Sequence, residues 1–347
     1  MGVRFTMTRY HAAWWLPGAH AQTLWGKLAR REPEQPTAVE RWTTLDGDFL
    51  DIHRLAGDSN KGRLLILHGL EGTIRSQYAQ KLLGEARRRR WSADLLIFRS
   101  CSPEMNLTKG FYHSGETSDL GFVIDRIVEE NPHQPLVLAG VSLGGNVLLK
   151  YLGERGAAVA TQIKAAAAVS VPFDLARASN HINRGFARVY QRHFIKSLKQ
   201  KTLKKLERFP SLVTPDRVTR IGTMYEFDDV VTAPVHGFRD ADDYYSSSSS
   251  LAWIDRISIP TLLLSAKDDP FLPRSVLDEV RQVAQNNTRL ELEFPAHGGH
   301  VGFVTGWNPF HPAYYAEQRV CDFLAKRVHR SVALPNIDPD RGRHVPA

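Results

Sequence analysis

The chain has 347 residues, 42% hydrophobic and 24% charged, which is the composition of a folded globular protein and excludes collagen-like or largely disordered chains. Its length allows one large domain or two ordinary ones, and no apolar run approaches the roughly 18 residues that a membrane-spanning helix needs. The formal charge of +8 favours contact with anionic surfaces, and two cysteines, Cys101 and Cys321, form neither a disulfide framework nor a zinc spacing, so a reducing, cytoplasmic setting is expected.

Residues 1–35 read as an extended N-terminal arm. Trp14, Trp15, Leu16, Leu24 and Trp25 are apolar, but prolines and glycines interrupt any period, so these side chains are expected to pack onto the main body. Residues 12–19 are too short and broken for a signal-peptide core. Residues 1–6 match only the loose myristoylation pattern. Asp46-Gly47 between strand-like runs at 41–45 and 49–55 predicts a hairpin. The apolar run 63–67 suits a buried parallel strand, and His68-Gly69-Leu70 opens a loop at its C-terminal edge. A helix is expected over 76–90. It ends in four arginines, which suit a helix C-terminus; without aromatic–basic interleaving they do not predict a nucleic-acid partner. A strand follows at 93–98. Cys101, in the next loop, has no helix N-terminus or base beside it and is expected to be structural. A helix over 117–130 has Ser114 and Thr117 as expected capping oxygens. Strand and helix alternate throughout, which predicts an α/β fold with a mostly parallel, twisted sheet and helices on both faces.

The most informative stretch comes next. Leu136 to Ala139 is a short apolar strand and Val147 to Leu152 begins a helix; between them stands Gly140-Val141-Ser142-Leu143-Gly144. This is the G-x-S-x-G spacing of a nucleophile elbow. A serine hydroxyl reaches an acyl carbon only if a sharp turn lifts it off the sheet. The helix then crosses close to the strand, so the flanking positions must be small. The Leu143 N–H at the helix start and the Leu70 N–H on the earlier loop are expected to form an oxyanion hole.

After a strand at 163–171 the rhythm stops until about 250. Helices are expected at 173–177 and 185–209. The second is a basic amphipathic one, carrying Arg188, Arg192, Lys196 and Lys199 among others, which suggests a lid over an apolar cleft or a contact with anionic membrane. The acids of 225–229 and 240–245 are expected to pair with these basic helices, and the serines 246–250 read as a low-complexity linker. Strand rhythm resumes at 260–265, followed by Asp268 and Asp269, a helix at 275–284, an edge-like strand at 290–294, then His297 and His300. A helix over 312–328 ends the core and 331–347 reads as a tail.

A serine needs a base, and the base an orienting acid. Asp268 or Asp269 and His300 follow successive strands after Ser142; His297 is the rival base. A zinc reading of His297 and His300 lacks a third ligand.

Seven stretches together show what the chain resembles: 17–23 (PGAHAQT), 68–72 (HGLEG), 112–117 (YHSGET), 140–146 (GVSLGGN), 227–229 (FDD), 266–271 (AKDDPF) and 297–303 (HGGHVGF). The chain resembles the YheT-like branch of the α/β-hydrolase superfamily, related to eukaryotic α/β-hydrolase-domain lipases and alcohol acyltransferases. The resemblance implies a charge relay of Ser142, Asp269 and His300, with the second aspartate orienting the histidine. It departs at Ser100, where the family usually has glycine. The expected protein is a serine carboxylic-ester hydrolase of the monoacylglycerol-lipase kind, acting on a small acyl ester or lipid and requiring no metal or organic cofactor. An alcohol acyltransferase using the same acyl-enzyme and an idle acyl-chain or membrane-binding module are the alternatives; the oligomeric state is left open. The expected division is an arm at 1–35, a core at 36–171 and 251–330, a helical lid at 172–250 and a tail at 331–347.

Overall fold

The computed structural model describes residues 10–328. The myristoylation pattern and the tail at 331–347 lie outside the described residues. In chain order the elements are α1 (Ala19–Leu28), β1 (Ala38–Thr43), β2 (Phe49–Leu55), β3 (Arg63–Leu67), α2 (Gln77–Arg88), β4 (Ser92–Ile97), α3 (Ser118–Glu130), β5 (Leu136–Val141), α4 (Leu143–Arg155) and β6 (Ile163–Val169). Helices α5 (Leu175–Ile182), α6 (Ala187–Leu206), α7 (Pro215–Arg220), α8 (Met224–Phe227), α9 (Ala233–His236) and α10 (Ala241–Ser248) follow without a strand. Then come β7 (Thr261–Leu264), α11 (Arg274–Ala284), β8 (Leu290–Glu293), the two-residue strands β9 (Val304–Thr305) and β10 (Ala313–Tyr314), and α12 (Tyr315–Val328).

Eight strands form one sheet in the order β1-β2-β4-β3-β5-β6-β7-β8. The pairings from β4 to β8 are parallel; the β1–β2 hairpin joins them through an antiparallel pair between β2 and β4. Central strands β3, β4 and β5 are buried along their whole length, which is why apolar residues dominate them; Asp94 of β4 is a buried exception and pairs with Arg63 and Arg54. The expected edge strand 290–294 pairs only with β7 and stays partly exposed. In β6, four successive alanines leave room for α4 and α12 to close onto the sheet. The turn of the hairpin has Gly47 at φ 77°, the left-handed geometry that Asp-Gly supplies cheaply.

Four expectations change. The segment 10–35 is not extended throughout: α1 folds against the body, and Trp14 and Trp15 donate their indole N–H groups to the Trp307 and Gly306 carbonyls. Neither Ser114 nor Thr117 caps α3. The Glu116 carboxylate accepts from the Ser118 amide, while the Thr117 hydroxyl donates to Glu154. The acids 225–229 and 240–245 serve as local acceptors rather than partners of the basic helices: Asp240 caps α10, Asp242 accepts from Tyr225 and Asp228 from Tyr245. The serine run is ordered, since Asn146 on α4 donates to the Ser248 carbonyl and accepts from the Ser250 amide, burying both serines. Composition hid this because the anchoring partner lies a hundred residues earlier.

The segment between β6 and β7 has its own small core, including Ile195, Leu198, Val218, Phe227 and Val231. It therefore sits as a packed body beside the C-terminal ends of the strands.

Candidate active site

Ser142 has φ 53° and ψ −120°, a costly backbone for any residue but glycine. Close packing enforces it. A Cβ on Gly140 would lie 2.5 Å from the Gly144 carbonyl oxygen, and one on Gly144 would lie 2.5 Å from that of His68. The elbow glycines thus let α4 cross directly over the ends of β5 and β3. Among the described residues six further non-glycine residues have positive φ, and four of them, Glu71, Ser170, Val301 and Phe303, belong to the loops around this serine.

The His300 ring bridges the constellation. Its Nε2 lies 3.0 Å from Ser142 Oγ and its Nδ1 lies 2.9 Å from Asp269 Oδ2. Asp269 is almost fully buried and accepts the Phe271 amide on its other oxygen, which fixes its rotamer. The Phe271 ring stacks on the imidazole at 4.1 Å between centroids. The two candidates left open by spacing now separate. Asp268 accepts from the Gly299 amide and faces His297 at 3.3 Å, so it shapes the histidine loop; the His297 side chain is 68% exposed and turned away from Ser142's partner.

Sequence reasoning assigned no role to residues 17–23, yet these hold the histidine loop. Gln22 accepts from the Val304 amide and donates to the Val304 and Leu16 carbonyls. Thr23 Oγ1 accepts from the His300 amide. Gly299 and Gly302 permit the contact: a Cβ on either would lie 2.4–2.5 Å from carbonyls of α1. On the far side Ser170 Oγ accepts the Val301 amide. The signal was the PGAHAQT stretch itself, which carries no chemistry of its own and so pointed nowhere without tertiary contacts.

The loop after β3 is held as tightly. His68 is fully buried; its Nε2 accepts from the Phe98 amide, which leaves Nδ1–H to donate to the Gly69 carbonyl. Burial lowers its pKa to about 4, so the ring stays neutral in this role. The Gly69 amide donates to the Tyr78 hydroxyl and the Glu71 amide to the Tyr112 hydroxyl. Among the described residues neither the Leu70 nor the Leu143 amide, the two expected oxyanion donors, is spent on a partner within the chain. A Cβ on Gly69 would lie 3.1 Å from Ser142 Cβ, so this loop passes directly beside the serine. Glu71 also accepts from Lys201 and Ser197 on α6, which ties the loop to the inserted helices.

Ser142, His300 and Asp269 line a cavity of about 700 Å³ whose walls come from α1, the 68–78 loop and the inserted helices. Leu24, Leu175, Val189, Phe194, Leu198 and Leu272 make much of it apolar. Burial pushes the Cys101 thiol up to about 12, as expected of a structural cysteine. Among the described residues no group of three or more His, Cys, Asp or Glu side chains could hold a metal ion.

Residues 62–306 match the family model described as the alpha/beta hydrolase fold. The chain is 37% identical to YheT of Escherichia coli over 88% of its own length and 89% of that protein. It is 29% identical to the phospholipase ABHD3 of Mus musculus, over 94% of this chain and 81% of that one. It is 30% identical to the monoacylglycerol lipase of Saccharomyces cerevisiae, over 84% of this chain and 64% of that one. In fold it resembles the esterase Pf2001 of Pyrococcus furiosus, with a TM-score of 0.56 at 16% identity over 84% of this chain and 93% of that one.

Proposed function

The chain belongs to the α/β-hydrolase family, and from that premise we propose that it is a serine carboxylic-ester hydrolase working through an acyl-enzyme. Ser142 Oγ attacks the ester carbonyl while His300 Nε2 takes its proton. Asp269 holds the imidazole with Nδ1–H towards it and stabilises the cation that forms. The Leu70 and Leu143 amides receive the oxyanion. His300 then gives its proton to the leaving alkoxide, and a water molecule repeats the sequence on the acyl-serine. The observation that carries this reading is the continuous chain from Asp269 through His300 to Ser142, with both contacts within hydrogen-bond distance, opening into a largely apolar cavity. The apolar walls favour an acyl ester or lipid, and the relatives named as phospholipase and monoacylglycerol lipase support that substrate class. Residues 172–250 act in this reading as the lid of the cavity.

The first test is labelling with a fluorophosphonate probe, which reacts with an activated serine. Wild type is expected to label, and Ser142→Ala and His300→Ala to lose the label. Hydrolysis of p-nitrophenyl esters of graded length should show a chain-length optimum set by the cavity. A folded wild type that neither labels nor turns over any of these esters would refute the reading.

Leu28 on α1, Phe186 just before α6 and Val189 on α6 are exposed apolar side chains, with exposed Lys27, Arg188, Arg192 and Lys196 on the same two helices. They support peripheral contact with anionic membrane. Binding to anionic vesicles at low salt, weakening as salt rises, is the expected result; no sedimentation with such vesicles would exclude it.

A further inference from the structure

Asp228 takes no part in the chemistry above. It lies in the wall of the same cavity, buried, on the wide i→i+5 turn Asp228–Thr232 that joins α8 and α9. Turns of this kind re-aim a side chain and often occur at functional sites. Thr232 Oγ1 donates to Asp228 Oδ1 at 2.7 Å and the Tyr245 hydroxyl donates to Oδ2 at 2.7 Å. Tyr245 also meets Ser179 Oγ at 3.1 Å, and Thr232, Ser179 and Tyr244 line the cavity beside it. This makes a polar cluster in the wall of a largely apolar cavity.

The Tyr245 bond ties α10 to this turn, but a neutral acceptor would serve that purpose without a buried charge. An unpaired buried carboxylate is expensive, and a satisfied apolar wall would cost nothing. Among the described residues no cation offsets the charge; burial pushes the carboxyl up to about 6, and only the two hydroxyl hydrogen bonds pull the other way. A carboxylate offers about four acceptor positions. Two are filled, so the group retains capacity for donors arriving through the cavity.

We propose that Asp228 is a specificity-determining residue that accepts a hydrogen bond from a hydroxyl carried by the substrate, so that the enzyme selects hydroxylated esters over plain alkyl esters. The inference rests on the ester-hydrolase reading and deepens it. The hydroxyl has two chemical sources, the alcohol half of the ester, as in a glyceryl ester, or the far end of the acyl chain. A hydroxyl entering an apolar chamber without a partner would weaken binding, so a preference for it is diagnostic.

Three matched ethers, which cannot be hydrolysed, test this by calorimetry: octyl propyl ether, 1-O-octylglycerol and 8-propoxyoctan-1-ol. Wild type is expected to bind one of the two hydroxylated ethers at least about tenfold more tightly than the plain ether, the usual size of a hydrogen bond to a charged group. Which one binds assigns the source of the hydroxyl. In Asp228→Leu, which removes the acceptor, the ratio should fall towards one. Equal binding of all three by wild type overturns the proposal, and this comparison decides the matter even where the substitution prevents folding. A preference that survives Asp228→Leu overturns it too. Hydrolysis of propyl octanoate by wild type is measured in parallel. The hydroxylated esters 1-octanoylglycerol and propyl 8-hydroxyoctanoate are assayed beside it; turnover of none of the three would count against the ester-hydrolase reading alone, because ether binding needs no turnover.

Discussion

Ser100 shows how one side chain can offset its own backbone. It has φ 65°, a conformation that costs an ordinary residue energy and glycine little, which explains why the resemblance led us to expect glycine there. Its buried hydroxyl donates to Asn106 Oδ1 at 2.6 Å. The departure is therefore absorbed locally, in a loop away from the Asp269–His300–Ser142 chain. Ser100→Ala keeps the strain and loses the bond, and should cost about 1–3 kcal/mol. Ser100→Gly loses the bond but relieves the strain, and should stay within about 1 kcal/mol of wild type. Urea denaturation of the two variants checks the order; an alanine variant as stable as the glycine one would refute it.

At the scale of elements, α1 is the main addition to what the sequence conveyed. It closes the cavity on one side and grips the histidine loop through Gln22 and Thr23. Gln22 is buried and makes three hydrogen bonds with backbone groups, two of them on Val304. Gln22→Leu takes the acceptor from the Val304 amide and a donor from the Leu16 carbonyl, while the Val304 carbonyl keeps the Ala13 amide, and should cost about 1–3 kcal/mol in stability. Because Val304 lies four residues from His300, kcat for any hydrolysed ester should fall while the serine stays in place. Thermal denaturation and steady-state kinetics measure both effects; a destabilised variant with unchanged kcat would show that α1 supports the fold without positioning the histidine. Helix α6 makes the opposite junction. Its buried Lys205 donates to the Asn106 side chain and to the Thr108 and Gly110 carbonyls, so the basic face is partly structural.

For the whole molecule, pH dependence follows from buried carboxylates. Burial raises the Asp48 carboxyl, but donors from Thr108, Asn106 and the Leu107 and Phe49 amides outweigh it and hold the group far below the ordinary range. A lowered folded-state pKa means that the unfolded chain binds the proton first. The contribution is thus complete above the ordinary aspartate value near 4 and is lost as pH falls below it. Stability measured by denaturation between pH 6 and 3 should decline steeply at the acid end, and Asp48→Asn should flatten that decline. An unchanged acid limb in the variant would remove Asp48 from the account.

The sequence by itself determined the sheet, because apolar runs such as 63–67 and 136–141 have only one place to go, and it determined the elbow, because Gly140 and Gly144 mark a crossing that no side chain could survive. It also placed Ser142, one of two aspartates and His300 in order along the chain. Only the tertiary structure decided that Asp269 rather than Asp268 faces the imidazole, that residues 17–23 hold the histidine loop, that the serines 246–250 are anchored by Asn146, and that Asp228 faces the cavity rather than a basic helix. The physical reason is the same in each case. Local pattern reports burial and backbone geometry, whereas a hydrogen bond between residues 31 to 277 positions apart depends on how the elements pack, and nothing in the neighbouring sequence encodes its direction.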